Sequence, residues 1–127
     1  MIDISSLVYS RLVNDETMKK HLKGSGTTRN ECPPVFPYLY LKTLGQPTSS
    51  SDLQNHQCAV NAAFEITVYD STSATKARQL IFHAAELMRQ MGFTMNYGPV
   101  EVDRASTTEA YCWRARFKRT YCEGDII

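Results

Sequence analysis

The apolar residues between Ser71 and Met91 recur every three or four positions, which is the spacing of a helix with one buried side. The apolar positions are Ala77, Leu80, Ile81, Ala84, Leu87, Met88 and Met91. Charged and amide side chains take most of the remaining positions, so the other side is predicted to face solvent. Asp70, Ser71 and Ser73 are candidate N-caps, and Gly92 is predicted to end the helix in the left-handed conformation that glycine readily adopts.

Two segments alternate between apolar and polar residues, as a strand does when only one of its faces is buried. In Cys58–Tyr69 the buried set is predicted to be Val60, Ala62, Phe64, Ile66 and Val68. In Tyr111–Tyr121 it is predicted to be Tyr111, Trp113, Ala115, Phe117 and Tyr121, interrupted by Arg119. This pattern is typical of an antiparallel sheet that has a helix on one face and an open second face.

Less regular patterns predict the remaining strands. Val35–Leu44 is rich in aromatic and branched residues, which favour a strand. Phe93–Tyr97 and Val100–Asp103 are predicted to form a further strand, interrupted by a break or bulge at Gly98-Pro99. Arg104–Glu109 is predicted to be the turn that leads into the last strand.

The first thirty residues or so predict helix followed by loop. A short helix is expected to begin at Asp3, with Ile4, Leu7, Val8 and Leu12 on its apolar side. A second turn or two is expected from Asp15 to Gly24, and Gly24–Glu31 is polar and predicted to be a loop. We expect the first helix to dock on the sheet or on a neighbouring subunit.

Together these elements predict one α+β domain over residues 1–127, in the order α-β-β-α-β-β. Its core is a four-stranded, mainly antiparallel sheet covered by one central helix, with an N-terminal helical segment at residues 1–30. A long polar hairpin loop at residues 45–57 joins the first two strands. Polar connections of this length inside compact domains are usually functional or disordered, so both a hairpin tip and an assembly arm are open interpretations.

Composition narrows the possible functions. The formal net charge of the 127 residues is +1, so no overall field attracts nucleic acid or an anionic membrane. The longest apolar runs are shorter than the roughly 18 residues of a membrane-spanning helix, and the N-terminus lacks the pattern of a signal peptide. The four cysteines, Cys32, Cys58, Cys112 and Cys122, are far apart and are predicted to be reduced thiols of a cytosolic product.

A row of cations on the last strand is the main local feature of charge. Arg114, Arg116 and Lys118 alternate with apolar residues, so they share the open face at intervals of about 6.8 Å, and Arg119 adds a fourth charge nearby. Glu65 lies on the same face of the other strong strand and is expected to pair with one of these arginines. A solvated face, ion pairs to a partner chain and contact with a polyanion are three interpretations of this row.

Candidate catalytic and metal chemistry is weak in this sequence. His56-x-Cys58 with a distant Cys32 lacks the second closely spaced ligand pair of a structural zinc site. His83 lies within the central helix, where a packed or half-exposed imidazole is expected. No Ser-His-Asp arrangement, nucleophile elbow or Gly-rich phosphate loop is present in the sequence. We therefore expect a protein that is not an enzyme and that uses no cofactor or metal.

The ordered elements resemble the small tail terminator proteins of long-tailed bacteriophages, also described as tail completion, head-tail joining or minor capsid-type proteins. The resemblance lies in FPYLYLKTLGQPTSSSDLQNH, CAVNAAFEITVYDS, ATKARQLIFHAAELMRQMGF and VEVDRASTTEAYCWRARFKRTY. The family pattern combines an N-terminal helix, a polar loop in the first hairpin, an E-I-x-V-Y strand before the central helix and an arginine-rich final strand.

The resemblance implies a structural virion protein at the junction of tail and neck, assembled in the host cytoplasm as a homo-hexameric ring. Such a ring ends tail-tube growth and contacts the tail tube protein and the head-tail connector or stopper protein, while DNA passes through its lumen without sequence-specific binding. The implied assembly residues are Gln46, Thr48, Asp52, Gln54, His56, Glu65, Arg114, Arg116 and Lys118. Another neck protein, such as a stopper or an adaptor, is one alternative. A small nucleic-acid-binding α+β domain that uses the basic strand is the other.

Overall fold

The computed structural model describes residues 4–27, 37–45, 48–51, 57–71, 73–102 and 111–122, with backbone alone at 45, 48–51, 57–60 and 122. Its elements are the helices α1 (Ser5–Val13), α2 (Glu16–His21) and α3 (Ala74–Gln90), and the strands β1 (Gly24–Gly26), β2 (Tyr38–Gly45), β3 (Thr48–Ser51), β4 (Gln57–Asp70), β5 (Thr94–Val102) and β6 (Tyr111–Cys122). The described part is thus α+β, as the sequence predicts.

The sheet is mixed and has more strands than the four predicted. Its strand order is β1-β2-β4-β6-β5, and β3 pairs with β4 outside this path. β1 pairs with β2 in parallel, whereas every other pair is antiparallel. β1 falls in the predicted loop Gly24–Glu31, so the loop prediction was wrong there. Its three residues carry no apolar alternation, and the pairing is made by backbone groups that any sequence supplies.

β2 and β3 follow one another along the same edge of β4. The register runs from Tyr38 opposite Tyr69 to Gly45 opposite Ala63, and continues from Thr48 opposite Val60 to Ser51 opposite Gln57. Six residues of the predicted long loop Gly45–Gln57 are therefore strand, namely Gly45, Thr48–Ser51 and Gln57, and that prediction is corrected. The Thr-Ser-Ser-Ser run contains no apolar residue that could produce an alternating pattern, and its place in the ladder comes from pairing with β4.

α3 covers the middle of the sheet and forms the centre of the core. All seven of its predicted apolar positions are buried, together with Ala62, Phe64, Ile66 and Val68 of β4 and Ala115 and Phe117 of β6. The Ser73 side chain accepts the Lys76 backbone N–H at 3.2 Å, which confirms one of the predicted N-caps. Gly92 follows the helix with φ of +84°, which confirms the predicted helix end.

The two N-terminal helices pack into the same core. Ile4, which precedes α1, is buried together with Val8 and Leu12 of α1 and Met18 of α2, which confirms that the first helix docks on the domain. Leu7, which was predicted on the same apolar side, is instead 52% exposed. The Asp15 carboxylate caps α2 by accepting the N–H groups of Thr17 and Met18.

Asp15 also connects α2 with α3. The same Asp15 oxygen that caps α2 lies 2.7 Å from His83 Nε2, and the imidazole is half-buried, as expected for this position. This hydrogen bond and the backbone N–H groups of α2 lower the pKa of Asp15 below its usual value.

β5 forms one edge of the sheet and is irregular. Its pairing with β6 shifts between Met95 and Tyr97 and again between Tyr97 and Val100, which confirms the predicted bulge around Gly98-Pro99. None of the helices in the described residues combines the length and apolar character that crossing a membrane would require.

Candidate functional site

The face of the sheet turned away from α3 carries a cross-strand row of polar side chains. Lys42 of β2 is opposite Glu65 of β4, Glu65 is opposite Arg116 of β6, and Arg116 is opposite Tyr97 of β5. Side chains in directly opposed positions have Cβ atoms about 5 Å apart, so the register brings one carboxylate between two cations. We call Lys42, Glu65, Arg114, Arg116 and Lys118 the basic face.

Glu65 is the anchor of the basic face. Its side chain is 8% exposed; its Oε2 accepts from Arg116 Nε at 2.9 Å, and its Oε1 lies 3.3 Å from Arg114 Nε in an ion pair. A carboxylate can be buried at tolerable cost when neighbouring cations compensate its charge, and here both cations come from the neighbouring strand. The expected pairing of Glu65 with an arginine is confirmed.

The two arginines are also held by neutral neighbours. Arg114 Nε donates to Thr67 Oγ1 at 3.3 Å, and the guanidinium carbon of Arg116 lies 4.9 Å from the ring centre of Tyr97. A cation over an aromatic face is attracted by the ring quadrupole. These contacts restrict both guanidinium groups, so their charge is presented in a defined position.

A shallow polar cup of about 200 Å³ lies at the centre of the basic face. It is lined by Tyr40, Lys42, Glu65, Tyr69, Arg114 and Arg116. Across the basic face, one carboxylate lies among four cations, so positive charge is in excess. The chemistry of the cup suits an anion such as a carboxylate or a phosphate, for which guanidinium groups provide several N–H donors.

Cys112 lies next to Tyr69 in the register of the same face and is buried. Burial raises the pKa of the Cys112 thiol, and the nearby Arg114 charge offsets this only in part. The thiol therefore remains protonated near neutral pH, and a protonated thiol is a poor nucleophile.

Four residues of the implied assembly set come together in the structure, namely Glu65, Arg114, Arg116 and Lys118. Thr48 is described by its backbone, within β3. The other four lie outside the described residues: Gln46, Asp52, Gln54 and His56.

Arg119 does not belong to the basic face, as predicted by the alternation along the last strand, which places it on the apolar face near the row of cations. It lies on the α3 side of the sheet, and its Nη1 donates to the Met91 carbonyl oxygen at 2.6 Å, at the end of α3. A guanidinium in this position satisfies an unpaired helix carbonyl and is favoured by the negative end of the helix dipole. Alternate residues of β6 share a face, so Arg119 lies on the same face as Phe117. On this face the partner of the cation is the carbonyl group at the end of α3.

Sequence reasoning missed Lys42, Tyr40 and Tyr69 as members of the site. The signal was present in β2, where Leu39 and Leu41 are buried and the intervening residues must face the opposite way. Knowing that β2 and β6 flank β4 on opposite sides was also required, because only that order brings Lys42 to Glu65.

Within the ranges that the structure describes, no three His, Cys, Asp or Glu side chains are grouped as a metal site would require. No known protein-family model matches the chain, and no curated protein matches its sequence. The basic face and the fold are therefore the observations on which a function can be argued.

Proposed function

We propose that this chain is a structural subunit of a bacteriophage virion, which forms a ring at the neck, terminates the tail tube and joins it to the head connector. Its ordered elements resemble those of tail terminator proteins. The basic face is the observation that carries the proposal. A sheet face with fixed surplus cations suits contact with an acidic surface of a subunit or connector, or with the phosphates of DNA in a lumen.

The length of the first hairpin supports an assembly role. β4 has 14 residues and spans about 46 Å, whereas α3 has 17 residues and spans about 25 Å. The helix can thus cover only part of β4. β3 and β6 pair with the rest of β4, so this part of the strand remains in the sheet. It provides an extended arm for contact with a tube or a neighbouring subunit.

Capping of tail tubes tests the proposal directly. Purified chain is mixed with tail tubes, and the bound species is measured by sedimentation and by electron microscopy of the tube ends. We expect rings on tube ends, and a chain that remains monomeric and leaves the ends bare would refute the proposal. Tubes must be present, because a ring-forming subunit can be monomeric alone.

A charge-reversal pair tests the part played by the basic face. Lys42→Glu with Lys118→Glu leaves the buried Glu65 pair in place, and we expect it to weaken assembly on tubes. Lys19→Glu with Lys20→Glu is the matched control, because both lysines are exposed on α2 and the change in charge is the same. Equal capping by the two double variants would remove the basic face from the mechanism.

A nucleic-acid-binding domain is the second candidate, and the same four cations favour it. Loss of each phosphate contact lowers the dependence of log K on log salt by about 0.9 for duplex DNA. DNA binding that is strong at low salt and abolished by the basic-face variant, without any tube capping, would support this candidate. Binding to the connector with bare tube ends would indicate a stopper or an adaptor.

A further inference from the structure

An apolar groove lies between α3 and β5, on the opposite side of the sheet from the basic face. Its volume is about 530 Å³, and its apolar lining includes Phe82, Ala85, Phe93, Met95, Pro99 and Phe117. Phe82 is 43% exposed and Met95 is 44% exposed, although both are large apolar side chains. Exposed apolar side chains gathered in one groove are typical of an interaction site.

The groove borders an open edge of the sheet. Among the described strands, none pairs with the outer edge of β5. Bulges interrupt this strand, and Pro99 has no N–H to donate, so β5 is a poor template for an added strand. Insertion of apolar side chains into the groove is therefore the favoured mode of contact.

The opposite end of the molecule carries a second set of exposed apolar residues. Leu7 of α1 is 52% exposed, and Leu44 of β2 is also exposed. α1 lies on the β1–β2 side of the sheet, since Tyr9 Oη is 2.8 Å from Ser25 Oγ and a cleft is lined by α1 together with Leu41 and Thr43. The strand order separates this side from β5 by β4 and β6.

In the described residues, five large apolar side chains are exposed, and four of them divide between these two ends. Leu7 and Leu44 belong to the α1–β2 end, and Phe82 and Met95 line the α3–β5 groove, whereas Tyr97 lies against Arg116 on the basic face. A two-fold dimer through one end would leave the other end exposed in both copies. A head-to-tail contact covers both ends at once, and repetition of such a contact produces a ring or a filament.

We propose that the α3–β5 groove binds a second copy of this chain, which inserts the exposed leucines of its α1–β2 end. The proposal rests on the proposed function in taking another subunit as the occupant. It assigns the contact between subunits to the two ends of the sheet and leaves the basic face uncovered by that contact.

Complementation between two variants tests the head-to-tail arrangement. Leu7→Asp damages the inserted end and keeps the groove, whereas Phe82→Asp damages the groove and keeps the inserted end. We expect each variant alone to lose self-association by at least about tenfold in Kd, which corresponds to roughly 1.4 kcal/mol. An equimolar mixture should form a dimer and no larger species, because only one intact contact of each kind remains.

Sedimentation velocity and native mass measurement distinguish monomer, dimer and larger species. Gln79→Asp is the matched control, since Gln79 is exposed on α3 outside the groove lining, and it should assemble like the unmodified chain. Circular dichroism confirms folding, and Leu7→Ser with Phe82→Ser replaces the first pair if a charge prevents folding.

Three results would overturn the inference: an unmodified chain that self-associates neither in solution up to its solubility limit nor on tail tubes, self-association that either variant leaves unchanged, or a mixture that fails to dimerise. Failure of the proposed function gives a different result. Self-association with complementation but without tube capping would sustain the groove contact and refute the terminator role. Tube capping that neither variant affects would sustain the terminator role and refute the groove contact.

Discussion

Replacement of Glu65 by glutamine should destabilise the domain, because Glu65 is the only carboxylate of the basic face and binds both arginines. Glutamine has nearly the same shape but carries no charge, so the change removes the ionic part of the hydrogen bond with Arg116 and the ion pair with Arg114. It also leaves Arg114 and Arg116 close together with no anion between them. The expected result is a lower free energy of unfolding with an unchanged fold.

The solvent exposures of Glu65, Arg114 and Arg116 determine how much stability the substitution should remove. Exposed ion pairs contribute about 0–1 kcal/mol, whereas breaking a buried pair costs about 3–5 kcal/mol. Glu65 is 8% exposed, but Arg114 and Arg116 are 31% and 44% exposed and regain water when the carboxylate is lost. We therefore expect a loss of about 2 kcal/mol. For 127 residues this corresponds to a decrease of roughly 7 °C in Tm.

Urea unfolding followed by far-UV circular dichroism measures this loss as a lower midpoint at constant m-value. Glu101→Gln is the control, because Glu101 is an exposed carboxylate on β5 and its replacement should change the free energy by less than about 0.5 kcal/mol. A Glu65→Gln protein as stable as the control would refute the anchoring role. A double-mutant cycle with Arg116→Gln should give a coupling energy of at least about 0.5 kcal/mol.

Two further predictions concern pH and backbone strain. The pKa of Asp15 is lowered in the folded state, so its contribution to stability is complete above the unfolded-state value and is lost as pH falls through the folded-state pKa. Asp15→Asn keeps a capping side chain, and the unfolding free energy of this variant should decrease less steeply as the pH is lowered. An equally steep decrease would contradict the role of the pair with His83. Gly98 has φ of +78°, and an added Cβ would meet the Arg114 carbonyl oxygen and lie 3.1 Å from the Ala115 Cα. Gly98→Ala should therefore lower the unfolding free energy measured in urea titrations by about 3 kcal/mol. Asn96→Ala, which changes an exposed residue of the same strand, should be nearly neutral. Equal effects of the two substitutions would exclude the steric argument.

The irregular strands explain why only part of the fold could be predicted. β1 and β3 have sequences of glycine, serine and threonine, and neither has an alternating apolar face. Their pairing uses backbone groups whose partners are distant in the chain, so local sequence carries no signal for it. Arg119 is a related case, because its alternation indicated a charge on the apolar face but could not indicate the Met91 carbonyl as its partner.

What the sequence by itself determined is the partition of residues between faces. The 3.6-residue period defines the buried side of α3, and the two-residue period of β4 and β6 places Glu65, Arg114, Arg116 and Lys118 on the open face, because both periods are properties of the local backbone. The tertiary structure decided which strands are neighbours and in what register, and hence that Glu65 is opposite Arg116 and Lys42. It also decided that exposed apolar residues lie at two opposite ends of the sheet. Strand order depends on contacts between distant segments, and no local period encodes such contacts.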